Sequence, residues 1–266
     1  MITSRQNTLI RHARAVSKGL SKDSLFIEGL RLCEEAARSG LLCEDVLYTE
    51  RFADDERAAR VLAELKRLGA RFTIVSESVC ASLGDTKHPQ GIVVLARRFA
   101  TDKATFEKSL RASPLIVVLH RINNPANAGA MLRVAEAAGA TGVITTAGST
   151  DVLSPKALRG AMGSSFRLPL WTNAEFAGVL SWCDERGIRT VSADIAAKQT
   201  HTDLAWTEPC AVLMGAEAGG LTDEEIEMAD ARIRVPMQPP VESLNVAVAL
   251  AVILYEAARQ RAAASV

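Results

Sequence analysis

Ala211–Leu254, with the sequence AVLMGAEAGGLTDEEIEMADARIRVPMQPPVESLNVAVALAVIL, is the stretch that decides the fold. It contains a short apolar strand, Ala211–Met214, and a second short strand, Arg232–Val235, and each strand ends in a loop rich in glycine or proline that leads into a helix. In an open α/β sheet, ligands bind at the loops that follow the carboxyl ends of strands. Glycine lets the backbone approach a ligand closely. The stretch therefore predicts an α/β fold with a ligand site formed by these two loops.

Length and composition favour a globular protein with one large domain or two small ones. The chain has 266 residues, of which 48% are hydrophobic and 23% are charged. Lysine and arginine number 31 and so do aspartate and glutamate, so bulk charge does not indicate a nucleic-acid partner and any basic surface must be local. The 5 cysteines form no Cys-x-x-Cys pair. We expect buried thiols in a reducing compartment, without disulfides and without a metal.

The chain shows no sequence signal for a membrane. No apolar stretch approaches the roughly 18 residues of a membrane span, and the first residues lack the apolar core of a signal peptide. We therefore expect a cytoplasmic protein. Residues 1–22 contain no acidic residue but five basic ones, namely Arg5, Arg11, Arg14, Lys18 and Lys22. This pattern is compatible with the solvated face of a short helix and with a basic arm that contacts RNA phosphates.

Strands alternate with helices along the whole chain, which predicts two α/β domains. Residues 1–97 form the smaller domain, and the polar residues 98–113 are predicted to be a linker. Residues 114–266 form a larger domain with a mainly parallel sheet. Its first strand, Leu115–Leu119, is wholly apolar, as is typical of buried parallel strands.

Three helices carry specific expectations. Asp54–Leu68 is predicted as an amphipathic helix that Gly69 terminates. A helix over Ala128–Ala138 is predicted to be capped by Asn127. The last helix, Leu244–Arg261, is apolar on nearly all faces up to Tyr255, which predicts that it is buried.

The glycines of the opening stretch do not form a known phosphate-binding loop. Gly215-x-x-x-Gly219-Gly220 is not G-x-G-x-x-G, and the chain contains no G-x-x-x-x-G-K-[ST], so a P-loop nucleotidase is excluded at the level of motifs and a dinucleotide-dependent dehydrogenase lacks its fingerprint. An adenine-containing ligand without phosphates needs close backbone approach and an apolar slot. Gly215, Val235 and Leu244 are suited to these needs. The same residues are also compatible with two tight turns and two core positions.

A third motif lies upstream, Asn124–Arg133 with the sequence NPANAGAMLR. Together with GAEAGG and VPM…SLN, in this order and at this spacing, it resembles the signature of the SpoU/TrmH ribose 2′-O-methyltransferases in the knotted SPOUT superfamily. The resemblance implies an α/β-knot domain whose C-terminal region is threaded through a loop, which general topology rules do not predict. Phe26-Ile27-Glu28-Gly29 and His88-Pro89-Gln90-Gly91 resemble an L30e-like substrate-binding domain.

The resemblance also implies a function and a set of site residues. It implies methyl transfer from S-adenosylmethionine (AdoMet) to a ribose 2′-OH of structured RNA, ribosomal (23S-type) RNA rather than transfer RNA, by a homodimer without a metal. The implied cofactor-binding residues are Gly215, Val235 and Leu244. The implied catalytic set is Arg133, Asn127, Glu217, Ser243 and Asn245. The alternative is a non-catalytic RNA-binding or ribosome-assembly protein that retains the fold.

The role of each polar residue follows partly from chemistry. Deprotonating an arginine at neutral pH costs roughly 8 kcal/mol because its pKa lies about six units higher. We therefore expect Arg133 to act as a cation that holds a phosphate and stabilises developing negative charge. Glu217 is expected to orient Arg133, Asn127 or a loop backbone, and Ser243 either joins this polar set or caps the last helix.

The chain departs from the family pattern after Pro236-Met237. The family usually has a glycine there, whereas this chain has Gln238-Pro239-Pro240. Proline has no N–H donor, so a cofactor contact made through a backbone N–H at these two positions is absent here.

Overall fold

The computed structural model describes residues 1–86 and 89–264. The chain forms two compact units, one made of Met1–Phe99 and Val152–Arg167 and the other of Ala100–Asp151 and Leu168–Val266. His88, which belongs to the predicted L30e-like signature, lies outside the described residues. Among the helices that are described, none is both long enough and apolar enough to cross a membrane.

The secondary structure alternates between helices and strands, as the sequence predicts. In chain order the elements are α1 (Thr8–Ser17), β1 (Ser24–Glu28), α2 (Leu30–Arg38), β2 (Cys43–Tyr48), α3 (Glu50–Ala53), α4 (Glu56–Arg67), β3 (Arg71–Ile74), α5 (Glu77–Cys80), β4 (Ile92–Arg97), α6 (Lys103–Glu107), β5 (Leu115–Leu119), α7 (Pro125–Ala137), β6 (Gly142–Thr146), α8 (Pro155–Ala161), α9 (Ser164–Arg167), β7 (Leu170–Ala174), α10 (Phe176–Asp184), β8 (Arg189–Ala193), β9 (Cys210–Met214), α11 (Asp223–Glu227), β10 (Ala231–Ile233) and α12 (Val246–Ala264).

The first unit is built on a four-stranded sheet in the order β1-β4-β2-β3. Strand β4 is antiparallel to β1 and β2, and β2 is parallel to β3. The segment Val152–Arg167 belongs to this unit. It is fixed there by Arg159, whose guanidinium lies 3.4 Å from the buried carboxylate of Glu28, and by an ion pair between Arg167 and Glu35.

The predicted helix Asp54–Leu68 is present as α4, which begins at Glu56 and ends at Arg67. A separate short helix, α3, precedes it. The backbone of Asp55 is extended, and its side chain accepts a hydrogen bond of 2.8 Å from the N–H of Ala58. Asp55 therefore acts as the N-cap of α4, a role that aspartate fills well.

The second unit contains a six-stranded sheet in the order β10-β8-β9-β5-β6-β7, and every strand pair in it is parallel. The predicted α/β class with a mainly parallel sheet is thereby confirmed. Strands β5 and β9 lie side by side at the centre and are buried along their whole length. Because the strands are parallel, the loops that follow β5, β8, β9 and β10 meet at one edge of the sheet.

The region predicted as a linker, residues 98–113, contains the helix α6. Its Phe106 is buried, and the Phe106 ring centroid lies 6.2 Å from that of Trp171 and 5.8 Å from that of Trp182. These aromatic contacts fix α6 in the core of the second unit.

One predicted helix cap is wrong, and one of the two alternatives for Ser243 is excluded. Helix α7 begins at Pro125 and its N-cap is Asn124, whose side chain accepts a hydrogen bond of 2.9 Å from the N–H of Ala126. Proline is favoured at the first helical position because the N–H that it lacks has no partner there. At the start of α12 the cap bond comes from Asn245, which accepts from the N–H of Ala247 at 2.9 Å, and not from Ser243.

Helix α12 is not buried on all sides within one chain, in contrast to the prediction. Ala247, Leu250, Ile253, Leu254 and Ala257 are buried. A separate face exposes Val248 at 49%, Val252 at 36% and Tyr255 at 56%. These three positions follow one another at helical spacing, so the exposed apolar side chains form one stripe.

Candidate active site

A cavity of about 610 Å³ lies at the edge of the parallel sheet where the loops after β8, β9 and β10 meet the start of α12. Its volume lies within the range of small-molecule sites. Seven of the eight predicted site residues line it, namely Asn127, Gly215, Glu217, Val235, Ser243, Leu244 and Asn245. The structure therefore brings together residues that are up to 118 positions apart in the sequence.

Gly215 lies where the loop after β9 folds back on itself. A Cβ atom at this position would overlap the backbone of Gly220 and Leu221, and would lie 2.6 Å from the carbonyl oxygen of Gly220. A short antiparallel bridge joins Ala216 to Gly220. The closed loop leaves no room for a side chain at position 215 and presents bare backbone to the cavity.

The cavity combines apolar and polar walls in a way that suits an adenine-containing amino-acid cofactor. Leu221, Ile233 and Ile253 contribute apolar surface, while Asp194, Glu217 and Arg234 contribute charge. The lining passes from Met237 to Glu242 without including Pro239 or Pro240. The lack of an N–H donor at these two prolines therefore removes no donor from the cavity lining.

Glu217, Asn127 and Asn245 form a continuous hydrogen-bonded chain on one wall. The carboxylate of Glu217 accepts from the N–H groups of Asn123 at 3.2 Å and Asn124 at 3.1 Å, and from the side-chain amide of Asn127 at 3.1 Å. The side-chain amide of Asn245 in turn donates to Asn127 Oδ1 at 3.2 Å. Glu217 thus orients Asn127 and the loop backbone, which were two of its three expected partners.

The hydrogen bonds around Glu217 also determine its charge. Burial of this carboxyl opposes ionisation, but the hydrogen bonds from its own N–H, from Asn127 and from the N–H groups of Asn123 and Asn124 outweigh burial and hold its pKa below the usual range. Glu217 is therefore an anion whose oxygens are already engaged by neutral donors. It acts as an anchor for the loop and not as a proton acceptor for substrate.

Arg133 is the predicted site residue that the structure does not bring to this cavity. It lies on α7, six residues after Asn127, which places it about 9 Å further along the helix and on a different face. Its side chain is exposed, and no ion-pair partner is found for it among residues 1–86 and 89–264. An exposed, unpaired guanidinium remains suited to bind an external phosphate.

Comparison with known proteins assigns the chain to a family. Residues 114–255 match the SpoU rRNA Methylase family. The chain belongs to this family. Residues 26–101 match a second family, described as RNA 2′-O ribose methyltransferase substrate binding. The predicted SpoU membership and methyltransferase class are therefore confirmed.

Relatives of the SpoU family match nearly the full length of the chain. An uncharacterised tRNA/rRNA methyltransferase of Synechocystis sp. is 33% identical over 273 residues, which cover 99% of this chain and 95% of the relative. The 23S rRNA (guanosine-2′-O-)-methyltransferase RlmB of Ralstonia nicotianae is 30% identical over 244 residues, which cover 91% of this chain and 98% of the relative.

A solved SpoU structure confirms the predicted fold. The SpoU methyltransferase AviRb from Streptomyces viridochromogenes, in complex with AdoMet, superposes on the chain with a TM-score of 0.86. The two proteins are 26% identical, and the superposition covers 97% of this chain and 99% of AviRb. The fold is therefore that of the SpoU methyltransferases.

The sequence does not single out a second carboxylate, Glu225, that holds the same loop between β5 and α7 as Glu217. Glu225 of α11 accepts from His120 Nε2 at 3.0 Å and from Arg121 Nη2 at 2.6 and 2.7 Å. The sequence does show that Thr222 and Glu225 have the spacing of a capping box, which the structure contains. Nothing in the sequence spacing indicates that Glu225 pairs with residues 104 and 105 positions earlier.

No metal site is found in the part of the chain that the structure describes. There, no group of three or more histidine, cysteine, aspartate or glutamate side chains is placed to hold a metal ion. The cysteines Cys33, Cys43, Cys80, Cys183 and Cys210 are free and buried.

Proposed function

We propose that the chain transfers a methyl group from AdoMet to the 2′-OH of a guanosine ribose in 23S ribosomal RNA. The observation that carries the proposal is the convergence of Asn127, Glu217, Ser243 and Asn245 with Gly215 on one cavity. The RNA target follows the activity of the RlmB relative, which is similar over 91% of this chain. Ribosomal RNA is favoured over transfer RNA for the same reason.

AdoMet is the cofactor of the proposed reaction and supplies an electrophilic methyl group on a sulfonium. Gly215 admits it by leaving bare backbone at the cavity wall. Val235 and Leu244 lie on the cavity lining with the apolar Ile233 and Ile253 and offer the adenine an apolar slot. These residues bind and orient the cofactor, and binding in a fixed geometry supplies much of the acceleration for a displacement reaction.

The polar residues position the RNA. Glu217 fixes Asn127 from one side and Asn245 fixes it from the other, so the Asn127 amide is held in one orientation toward the ribose. Ser243 lines the cavity and is free of the capping role, which Asn245 fills. Arg133, which lies outside the cavity, binds a substrate phosphate as a permanent cation.

The first unit binds RNA in this proposal. Residues 1–97 are the RNA-binding domain, residues 98–113 lead from it into the second unit, where α6 packs, and the methyltransferase site lies within residues 114–266. The matched family for residues 26–101 supports the RNA-binding role. In α1, Ile10, Ala13 and Val16 are buried while Arg11 is exposed, as is Lys18 directly after the helix. The exposed basic side chains neutralise RNA phosphates, and binding weakens as salt increases.

The proposed enzyme is a homodimer located in the cytoplasm. The stripe of Val248, Val252 and Tyr255 on α12 is covered by a second copy of the chain, because an exposed apolar stripe beside a polar surface favours association. Light scattering coupled to size exclusion is expected to give twice the chain mass, and Val252→Asp is expected to give a monomer. Leu20→Asp introduces the same charge at a position that is 77% exposed, and serves as the matched control. A wild-type monomer at micromolar concentration would remove the dimer from the proposal.

The function is tested by mapping 2′-O-methylated nucleotides in total RNA from cells with and without the gene. Loss of one methylated guanosine in 23S RNA, restored by the purified protein with AdoMet, is the expected result. Isothermal titration is expected to show one AdoMet site per chain. RNA binding without AdoMet binding and without methyl transfer would instead establish a non-catalytic RNA-binding protein.

A further inference from the structure

Two carboxylates on one segment hold the loop that leads from β5 into α7. Glu217 holds the far end of this loop through the N–H groups of Asn123 and Asn124. Glu225 holds the near end through His120 and Arg121. The segment that closes over Gly215 is thereby joined at two points to the loop that starts α7.

The contact between His120 and Glu225 is buried and directional. His120 is 5% exposed, and its ring lies against Phe176 with a centroid distance of 4.2 Å. Nε2 lies 3.0 Å from the Glu225 carboxylate, which can only accept, so Nε2 carries a proton and donates. Nδ1 lies 2.9 Å from the hydroxyl of Thr146. Both ring nitrogens are therefore satisfied, and the ring has one defined orientation.

The backbone at Arg121 also requires support from its surroundings. Its φ is 53°, in the left-handed region that residues other than glycine rarely adopt. Its N–H donates to Thr146 Oγ1 at 3.3 Å, and its guanidinium donates to both oxygens of Glu225. Unusual backbone conformations of this kind persist where neighbouring groups fix them, and they are concentrated at functional sites.

We propose that Glu225, together with His120 and Arg121, forms a positioning group for methyl transfer. It fixes the entry into α7 so that Asn127 and Arg133 meet the RNA while the loop at Gly215 holds the cofactor. The proposal rests on the proposed function. None of the three residues lines the cavity, so the group acts through α7 and not by touching the cofactor.

Glu225→Gln separates this role from helix capping. With its oxygen in the place of Oε2, glutamine retains the side-chain shape and the acceptor that completes the capping box with Thr222. It removes the negative charge that faces Arg121, and its NH2 group takes the place of the oxygen that accepts from His120. Glu224→Gln is the matched control, because Glu224 is the adjacent exposed carboxylate on the same helix.

The expected result is a split between catalysis and binding. In Glu225→Gln, kcat on 23S RNA is expected to fall about tenfold or more, because small displacements of a positioned group slow reaction strongly. The AdoMet Kd and the RNA KM are expected to stay within about twofold of wild type. Glu224→Gln is expected to match wild type in all three quantities.

Variants of Arg121 test whether the residues act as one group. Arg121→Ala is expected to lower kcat as much as Glu225→Gln, and the double variant is expected to lower it no further, because coupled residues are not additive. Arg121→Lys retains the charge and is expected to recover part of the loss. Full additivity of the two single losses would overturn the proposal.

Hydrogen exchange supplies a readout that does not depend on activity. Peptides that cover residues 120–127 are expected to exchange faster in Glu225→Gln than in wild type and Glu224→Gln. Faster exchange with an unchanged kcat would reduce Glu225 to a structural tether and overturn the positioning role. If the wild-type protein methylates no RNA, the proposed function is refuted, and the positioning role that rests on it is refuted as well. Hydrogen exchange would in that case still show whether Glu225 holds the loop.

Discussion

Glu217 and Glu225 lie on the same segment and hold the same loop, but they hold it with different chemistry. Glu217 is bound by neutral donors, two backbone N–H groups and one side-chain amide. Glu225 is bound by a guanidinium and a buried imidazole. The difference shows that one loop can be fixed at its far end by directional hydrogen bonds beside the cavity, and at its near end by charge away from the cavity.

The largest expected effect is at Glu217, which is held by neutral donors. Glu217→Gln places an NH2 group where three donors now converge, so at least one N–H of Asn123 or Asn124 faces another donor. We expect kcat to fall by about a hundredfold or more, as when a preorganised polar contact is removed from an active site. Steady-state methyl transfer checks the value, with circular dichroism as the control for folding. A loss smaller than that of Glu225→Gln would reverse the comparison.

A smaller effect is expected at Asn245, which donates to Asn127 in the same series of hydrogen bonds. Asn245→Ala removes the donor to Asn127 and the cap of α12, so we expect about a tenfold lower kcat and about 1 kcal/mol less free energy of unfolding. Asn245→Asp keeps an acceptor for the N–H of Ala247 but lacks the amide donor. It is therefore expected to recover stability and not activity. Recovery of both in Asn245→Asp would show that the Asn127 contact is unnecessary.

The contact between His120 and Glu225 is expected to make the stability of the fold depend on pH. Burial lowers the pKa of His120 below its ordinary value, against the opposing influence of Glu225, while Arg121 also lowers it. The unfolded chain therefore takes up a proton at His120 below about pH 6.5 while the folded chain does not, so stability contributed by the neutral ring is present above that pH and is lost as pH falls below it.

His120→Gln keeps a donor for Glu225 but does not titrate. Urea unfolding at pH 7.5 and 5.5 is expected to show a smaller loss of stability on acidification in this variant than in wild type. The variant changes this one side chain, so the difference between the two proteins isolates His120. Burial also opposes ionisation of Glu225, but its hydrogen bonds from Thr222 and His120 and the charge of Arg121 lower its pKa. Glu225 therefore loses its stabilising charge only below about pH 4.5, outside this window. Equal pH slopes in the two proteins would contradict the assignment.

The smallest effect is expected for an ion pair of similar length at the surface. Arg67 lies 2.7 Å from Glu64 in α4, but both side chains are well exposed. Glu64→Gln is expected to leave methyl transfer unchanged and to shift Tm by no more than about 1 °C, because solvent screens such pairs. A Tm loss as large as that of Glu225→Gln would mean that burial does not distinguish the two carboxylates.

The sequence was sufficient to predict the parallel sheet and most of the cavity. The wholly apolar strands β5 and β9 carry a local signal, because strands that are buried on both faces contain few polar residues. Gly215 and Asn245 belong to short motifs whose spacing is visible in one dimension. Helix caps were less predictable, since Asn124 and Asn127 are equally good cap residues and only the backbone shows which one precedes the first turn.

The contacts that the sequence could not predict join distant residues without a repeated spacing. The pairing of Glu225 with His120 depends on the placement of α11 beside the end of β5, and no local rule encodes it. The sequence also does not predict the exposed stripe on α12. Apolar residues on all faces of a helix predict burial, but they do not indicate whether the covering surface comes from the same chain. The position of Arg133 outside the cavity has the same origin, since a motif places residues in order but not on a common face.

The closed loop at Gly215 determines what variation this position can tolerate. Any side chain at position 215 would overlap the backbone of Gly220 and Leu221. In a library that contains all twenty residues at this position, only glycine is therefore expected to be functional. Each inactive variant would fail by opening the loop, whether or not the new side chain reached the cofactor. Strict selection for glycine at this position would therefore record how the chain closes on itself as much as what it binds.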